Sequence, residues 1–241
     1  MDDFLKNKRI WITGASRGIG LAIAQKFADT KATLLLSAKE AKSFKNQPPE
    51  LKSKKNIFLF PFDISSRIET ESACVKIQRT VGDIDILINN AGISSFKKFI
   101  DTKPEVFENI ININLRGPFL CIQSVLPGML KKNSGIIINI ISVSAIKTFT
   151  KSSAYAASKA GLLAMSRSLR EEVRKYGIKI IDIFPGATET EIWSKDSRDK
   201  FRDKMMKTED VAEAVFEVIK LSMNNRMHVE EIVFRPQEGD L

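Results

Sequence analysis

Seven short apolar runs recur along the chain, and helix-length segments separate most of them. The runs are RIWIT (9–13), ATLLLS (32–37), NIFLF (56–60), IDILIN (84–89), GIIINII (135–141), IKIIDIF (178–184) and EEIVF (230–234). Near-continuous apolar runs of this length read as strands buried on both faces. Between them, GLAIAQKFAD, SRIETESACVKIQRTV, PEVFENIININLRGPFLCIQSVLPGMLKK and SAYAASKAGLLAMSRSLREEVRKY carry apolar residues at the helical period. Strand and helix in alternation build right-handed crossover units. The expected fold is therefore α/β, a doubly wound parallel seven-stranded sheet with helices on both faces.

The 241 residues read as a single domain, 1–241. No repeat or low-complexity tract divides them, and NQPPELKSKKN (46–56) is short enough to be a connecting loop. The segment 187–207, ATETEIWSKDSRDKFRDKMMK, is different in kind: it is highly charged, yet Ile192, Trp193, Phe201, Met205 and Met206 give it an intermittent apolar face. It leaves the carboxyl edge of the sheet, where ligands bind in such folds, so it is a candidate lid, with a plain surface helix as the alternative. TEDVAEAVFEVIKL then restarts a helix with Thr208 as the expected N-cap.

Composition narrows the function. Hydrophobic residues make up 43% and charged residues 28%, a globular balance, and no apolar run approaches the roughly 18 residues of a membrane span. The opening MDDFLKNKRIWITG has two acids and runs straight into a strand, which fits neither a signal nor a transit peptide, so a cytoplasmic location is expected. Cys74 and Cys121 have no CxxC spacing and no neighbouring His, which argues against zinc and against a disulfide framework, and no metal is expected. The formal charge is +9, but the 38 basic residues are interspersed with 29 acids and form no tail or nucleic-acid module. That reads as a solvated basic surface, with attraction for an anionic substrate or cofactor as the alternative; a small-molecule substrate is expected, and neither nucleic acid nor membrane. The only histidine, His228, lies well away from the motifs and just before the last strand, which argues against a Ser-His-Asp triad, and no HExxH or P-loop lysine motif occurs.

TGASRGIG (13–20) follows the first strand and opens the first helix. Gly14, Gly18 and Gly20 leave room for a tight turn and for a pyrophosphate to approach backbone N–H groups at the helix N-terminus, with Ser16, Arg17 and Ile19 completing the cofactor-binding turn. At the end of the second strand an acid would meet a ribose 2′-hydroxyl, but LLLSAKE puts Ala38 and Lys39 there. The cations Lys39 and Arg17 favour a 2′-phosphate, hence NADP(H) over NAD(H), while Glu40 one residue on keeps NAD(H) open.

The glycine turn, NNAG (89–92), SVSA from Ser142, YAASK (155–159) and PGATET (185–190) occur in this order and spacing. Together they closely resemble the short-chain dehydrogenase/reductase family, from about Arg9 to Phe234. The resemblance implies a Rossmann-type domain and hydride transfer between a nicotinamide and a carbonyl or alcohol carbon. It implies Tyr155 as proton donor in reduction and base in oxidation. A free phenol, with a pKa near 10, is too weak an acid at neutral pH, and Lys159, one turn along the same helix face, would favour the phenolate. Ser142, with Ser144 as its rival, would polarise the carbonyl. Asn114, with Asn112 as the other register, would hold a water relay to the lysine.

On the cofactor side the resemblance assigns Asp63, with neighbouring Ile64, to the adenine. Asn89, Asn90, Ala91 and Gly92 line the cofactor, and Pro185, Gly186, Thr188 and Thr190 meet the nicotinamide. Lys159, beside Tyr155, also holds the nicotinamide ribose. TGASRGIG and YAASKAGLLAMSRSL are similar to 3-oxoacyl-carrier-protein reductases, but the ending VEEIVFRPQEGDL departs from them, and Asn133 and Tyr176 stand where their carrier-binding arginines would align. The substrate is thus a 3-oxoacyl thioester or a small hydroxy or keto compound, and a catalytically quiet NADP(H)-binding regulator is the alternative. Family analogy implies a homo-oligomer, tetramer or dimer, built on the helices around 104–132 and 153–175.

Overall fold

In the computed structural model, which describes residues 3–44 and 48–240, the seven apolar runs form one sheet. Its strands are β1 (Arg9–Thr13), β2 (Thr33–Ala38), β3 (Ile57–Pro61), β4 (Ile86–Asn89), β5 (Gly135–Ile140), β6 (Ile178–Pro185) and β7 (Glu231–Phe234), in the order β3-β2-β1-β4-β5-β6-β7. Every neighbouring pair is parallel. The chain winds outward from β1 to β3 and returns to place β4 on the other side of β1. That reversal opens a crevice at the strands' carboxyl ends.

The helices are α1 (Gly18–Ala28), the single turn α2 (Pro49–Lys52), α3 (Arg67–Val81), α4 (Pro104–Ile111), α5 (Gly117–Lys132), α6 (Ser153–Val173), α7 (Lys195–Phe201) and α8 (Thr208–Ser222). The loop expected at 46–56 contains α2, and its first residues lie outside the described ones. Side-chain alternation along each strand sorts the core into two layers. Ile10, Ile12, Leu34, Leu36, Ile86, Ile88, Ile181 and Ile183 pack under α1 and α8. Trp11, Leu35, Leu87, Ile137 and Ile180 pack with α3, α5 and the end of α6 on the other face. Trp11 donates its indole N–H to Ser37 Oγ at 2.8 Å, which satisfies the one polar atom of that buried ring.

Residues 104–132 are not one helix. A π-helical turn at Asn112–Arg116 separates α4 from α5. Pro118 has no N–H to offer the Asn114 carbonyl, so the α-helical ladder cannot run through that point, and Gly117 N–H instead reaches back to Asn112 O. The start of α8 also differs by one residue: Lys207 is the N-cap, and its N–H is held by Asp210 Oδ2 at 2.8 Å.

Candidate active site

β1 delivers the glycine turn to the crevice. Gly14 and Gly18 have φ of +64° and +54°, in the left-handed region, and a Cβ on Gly14 would stand 2.8 Å from Ala91 Cα. NNAG braces this turn. Asn90 Nδ2 donates to the Thr13 and Gly14 carbonyls at 3.0 and 3.1 Å, while Thr13 Oγ1 accepts from the N–H groups of Asn90 and Ala91 at 3.0 and 3.1 Å. Arg17 is the exposed N-cap of α1, no side chain caps that terminus, and Ser16 and Ile19 are half-buried beside it. Glycine at Gly14, Gly18 and Gly20 and an uncapped helix start fit the pyrophosphate of a dinucleotide.

At the end of β2, Lys39 Nζ lies 2.7 Å from Asp63 Oδ2, so the cation expected at the ribose and the acid expected at the adenine are bonded to each other. Burial alone would push the Asp63 carboxyl up, but Lys39 and hydrogen bonds from Ser65 N and Oγ (2.9 and 2.7 Å) hold it below its ordinary value. Glu40 turns to Lys42, 2.6 Å away. Ile64 is buried in the α3 and α5 layer, against Gly117.

Four polar side chains gather beyond the glycine turn. Asn114, fully buried, clasps the Ile93 backbone in both directions, accepting from N–H and donating to the carbonyl, each at 2.9 Å, and also reaches Ser158 Oγ at 3.0 Å. The π turn presents this side chain. Lys159 Nζ donates to Ile140 O at 2.7 Å and lies 5.8 Å from the Tyr155 ring centroid. A Cβ on Gly92 would stand 3.5 Å from Asn114 Oδ1 and 3.6 Å from Lys159 Nζ, so β4, the π turn and α6 meet there. Ser142 follows β5, and its Oγ accepts from Ser144 N–H at 3.1 Å, which leaves its own proton to donate elsewhere. Asn112 and Ser144, the rival positions, are half-buried; Asn114 and Ser142 are buried.

Burial dominates the electrostatics of this group. It pushes the Tyr155 phenol up to about 12, with the Ser142 side chain pulling the other way. It also pulls the Lys159 ammonium down to about 8. In the chain by itself desolvation therefore dominates, in place of the lowering expected from Lys159, and Tyr155 is a neutral phenol at pH 7.

The segment after β6 spans from this group to the glycine turn. Pro185 ends the strand, Gly186 N–H bonds Phe234 O at 2.7 Å, and Thr188 Oγ1 donates to Gly186 O at 3.1 Å. Thr190 reaches Gly18, where an added Cβ would meet its methyl carbon at 3.3 Å. The following residues leave and return at one place: Met206 N–H bonds Ala187 O at 3.0 Å, and Glu189 N–H bonds Met206 O at 2.9 Å. Within them Ser194 caps α7, and Trp193 stacks on Phe96 with centroids 5.3 Å apart and planes 20° apart. Phe96 in turn meets Tyr155 edge-on at 6.3 Å. The sequence reading passed over Phe96; its only signal is an aromatic in SSFKKF, the loop leaving β4 beside the crevice.

A polar row also escaped the sequence reading. Asn89, Asn139 and Asp182 are register partners across β4, β5 and β6. Asn89 Nδ2 donates to Asn139 Oδ1 at 2.9 Å, Asn139 Nδ2 donates to Asp182 Oδ1 at 3.1 Å, and Arg170 closes the row at Asp182 Oδ2, 2.6 Å away. Away from the site, His228 lies just before β7 with Nε2 3.1 Å from Ile180 O. Cys74 and Cys121 are buried free thiols whose pKa values burial raises. Among the described residues no cluster suited to a metal occurs, and no helix is long and apolar enough to cross a membrane.

Known proteins match this chain along nearly its whole length. The sequence pattern of the family described as short chain dehydrogenase matches residues 8–200. A sepiapterin reductase of Chlorobaculum tepidum is 35% identical over 238 residues, covering 95% of this chain and 96% of the relative. An uncharacterized oxidoreductase of Staphylococcus aureus is 31% identical over 233 residues, covering 96% and 98%. Among solved structures, an alcohol dehydrogenase from the archaeon Thermococcus sibiricus, complexed with 5-hydroxy-NADP, superposes with a TM-score of 0.85 at 26% identity, covering 96% of this chain and 97% of that one. A serine dehydrogenase complexed with NADP+ gives 0.88 at 25% identity, covering 97% and 96%. With its seven-stranded parallel sheet and its glycine turn at the switch point, the chain belongs to the short chain dehydrogenase family of oxidoreductases.

Proposed function

We propose that the protein is an NADPH-dependent oxidoreductase that interconverts a carbonyl and a secondary alcohol. The observation that carries this reading is the meeting of Tyr155, Lys159, Ser142 and Asn114 beside a glycine turn shaped for a pyrophosphate. A nicotinamide dinucleotide, when bound, supplies the hydride and, once oxidised, a positive charge. Ser142, its oxygen already held by Ser144 N–H, donates its proton to the substrate carbonyl and stabilises the charge developing there. Tyr155, neutral in its buried setting, gives its phenolic proton to the same oxygen, and in the reverse direction takes it back. Lys159, fixed by Ile140 O, balances the phenolate left behind, and Asn114, clamped to Ile93, holds the relay that returns a proton.

The cofactor preference rests on Lys39 and Arg17, and on relatives solved with NADP. A 2′-phosphate would take over the Lys39 ammonium that Asp63 now holds. Pro185, Gly186, Thr188 and Thr190 line the nicotinamide side, and 187–207 serves as the lid of a single domain. A small-molecule substrate is supported by relatives named for sepiapterin, alcohol and serine. We read the protein as a cytoplasmic homo-oligomer. The decisive assay is consumption of NADPH and NADH against keto acids, sugars, ketosteroids, oxoacyl thioesters and simple diketones. Turnover with NADPH is expected, and Lys39→Ala is expected to narrow the NADPH-to-NADH ratio of kcat/KM about tenfold. Consumption of neither cofactor with any carbonyl, or full activity in Tyr155→Phe, would overturn the reading.

A further inference from the structure

We propose that Phe96 and Trp193 form a substrate-binding wall that selects carbonyl compounds carrying a planar aromatic group beside the reacting carbon. The inference rests on Tyr155 as the proton donor and adds what the site prefers to reduce. Phe96 meets the Tyr155 ring edge-on at 6.3 Å, and Trp193 continues the wall by stacking on Phe96 at 5.3 Å. A substrate whose carbonyl reaches the Tyr155 hydroxyl therefore has aromatic surface at its flank.

Two separate segments build this wall. Phe96 comes from the loop after β4 and Trp193 from the segment after β6, and Ser94 Oγ ties the two by donating to Ile192 O at 3.2 Å. The pair is thus held before any ligand arrives, which lowers the ordering cost of binding. It also keeps a free surface. Phe96 is 41% exposed despite touching two other rings, whereas Phe27 and Phe184 are fully buried in the core. An aromatic ring gains more from such a surface than an aliphatic chain of similar area, through edge and offset-stacked contacts. The charges of the 187–207 segment are partly engaged elsewhere: Arg202 with Glu189 at 2.7 Å, Lys204 with Glu238 at 3.3 Å, and Lys200 over the Phe201 ring at 5.1 Å. What stands against Tyr155 is ring surface.

The test compares two diketones that share a reacting group, 1-phenyl-1,2-propanedione and 2,3-butanedione. The wild type is expected to favour the phenyl compound in kcat/KM. Trp193→Ala is expected to cut that preference about tenfold, and Trp193→Phe to restore most of it. Equal losses on both substrates, or a wild-type preference for butanedione, would overturn the proposal. Binding is read separately by fluorescence, because Trp193 and the buried Trp11 are the only tryptophans. The phenyl diketone is expected to quench the wild type and to lose most of that quenching in Trp193→Phe. Quenching without turnover would count against the oxidoreductase reading and leave the wall standing. Turnover with neither quenching nor a shifted preference would remove the wall and leave the oxidoreductase.

Discussion

Lys159 carries a charge where the fold offers it little solvent: it is 4% exposed, and it donates to the Ile140 carbonyl. Burial lowers its pKa from 10.5 to about 8. Below about pH 8 the folded and unfolded chains both hold the proton, and the folded chain bears the full cost of the buried ammonium. Between about 8 and 10.5 only the unfolded chain keeps this proton, so the contribution of Lys159 to stability rises with pH by about 3 kcal/mol in all. The difference in urea unfolding free energy between the wild type and Lys159→Met is expected to shift in favour of the wild type through that window, the buried thiols and Tyr155 being common to both. Catalysis should move the other way. The kcat/KM for carbonyl reduction is expected to be level below about pH 8 and to fall above it, as the ammonium that balances the phenolate is lost. A pH–rate profile level through pH 9.5 would show that Lys159 keeps its proton there.

The elements divide into those written locally and those decided at a distance. Each strand was legible as an apolar run. The inner strands β1, β2, β4, β5 and β6 are covered on both faces and need no alternation. The edge strands β3 and β7, expected to be covered likewise, leave Leu59 and Val233 exposed because no further strand flanks them. The glycine turn was legible because only glycine allows that backbone to come so close to Ala91. The π turn was not: Asn112–Arg116 keeps an apolar pattern that a plain helix would also show, and what selects it is Pro118 together with Asn114 gripping a loop 21 residues earlier. The Phe96 and Trp193 stack was hidden for the same reason, since the two rings come from loops almost a hundred positions apart. Asn114→Ala leaves the Ile93 N–H and carbonyl without their partner in a buried setting. It is expected to cost about 2–4 kcal/mol in urea unfolding.

At the scale of the molecule, the polar row joins the crevice to the far edge of the sheet. Asp182 is fully buried, its carboxyl is raised by that burial, and Ser166, Asn139 and Arg170 offset part of the rise. Beyond it Arg170 also touches the Glu230 carbonyl, and Arg167 forks onto Glu231 at 2.7 and 2.9 Å, so β7 is fastened to α6 by charge as well as by the sheet ladder. None of this could be read from the sequence, because which residues face each other across strands is a matter of register. Arg170→Met strands a buried carboxylate and is expected to lower stability by about 3–5 kcal/mol. Adding Asp182→Leu removes the stranded charge and is expected to recover most of that loss, as a double-mutant cycle in urea would reveal.

The crossing of backbone hydrogen bonds between Ala187, Glu189 and Met206 brings the two ends of a charged segment to a single point on the framework. A chain that departs and returns at one knot behaves as a cassette: it can be lengthened, trimmed or exchanged while β6 and α8 keep their places. Tyr155, Lys159, Asn114 and Ser142 all lie outside it, on α6, in the π turn and just after β5. A lineage built this way can rewrite the residues between Thr190 and Met206, Trp193 among them, and keep α6 and the π turn as they are.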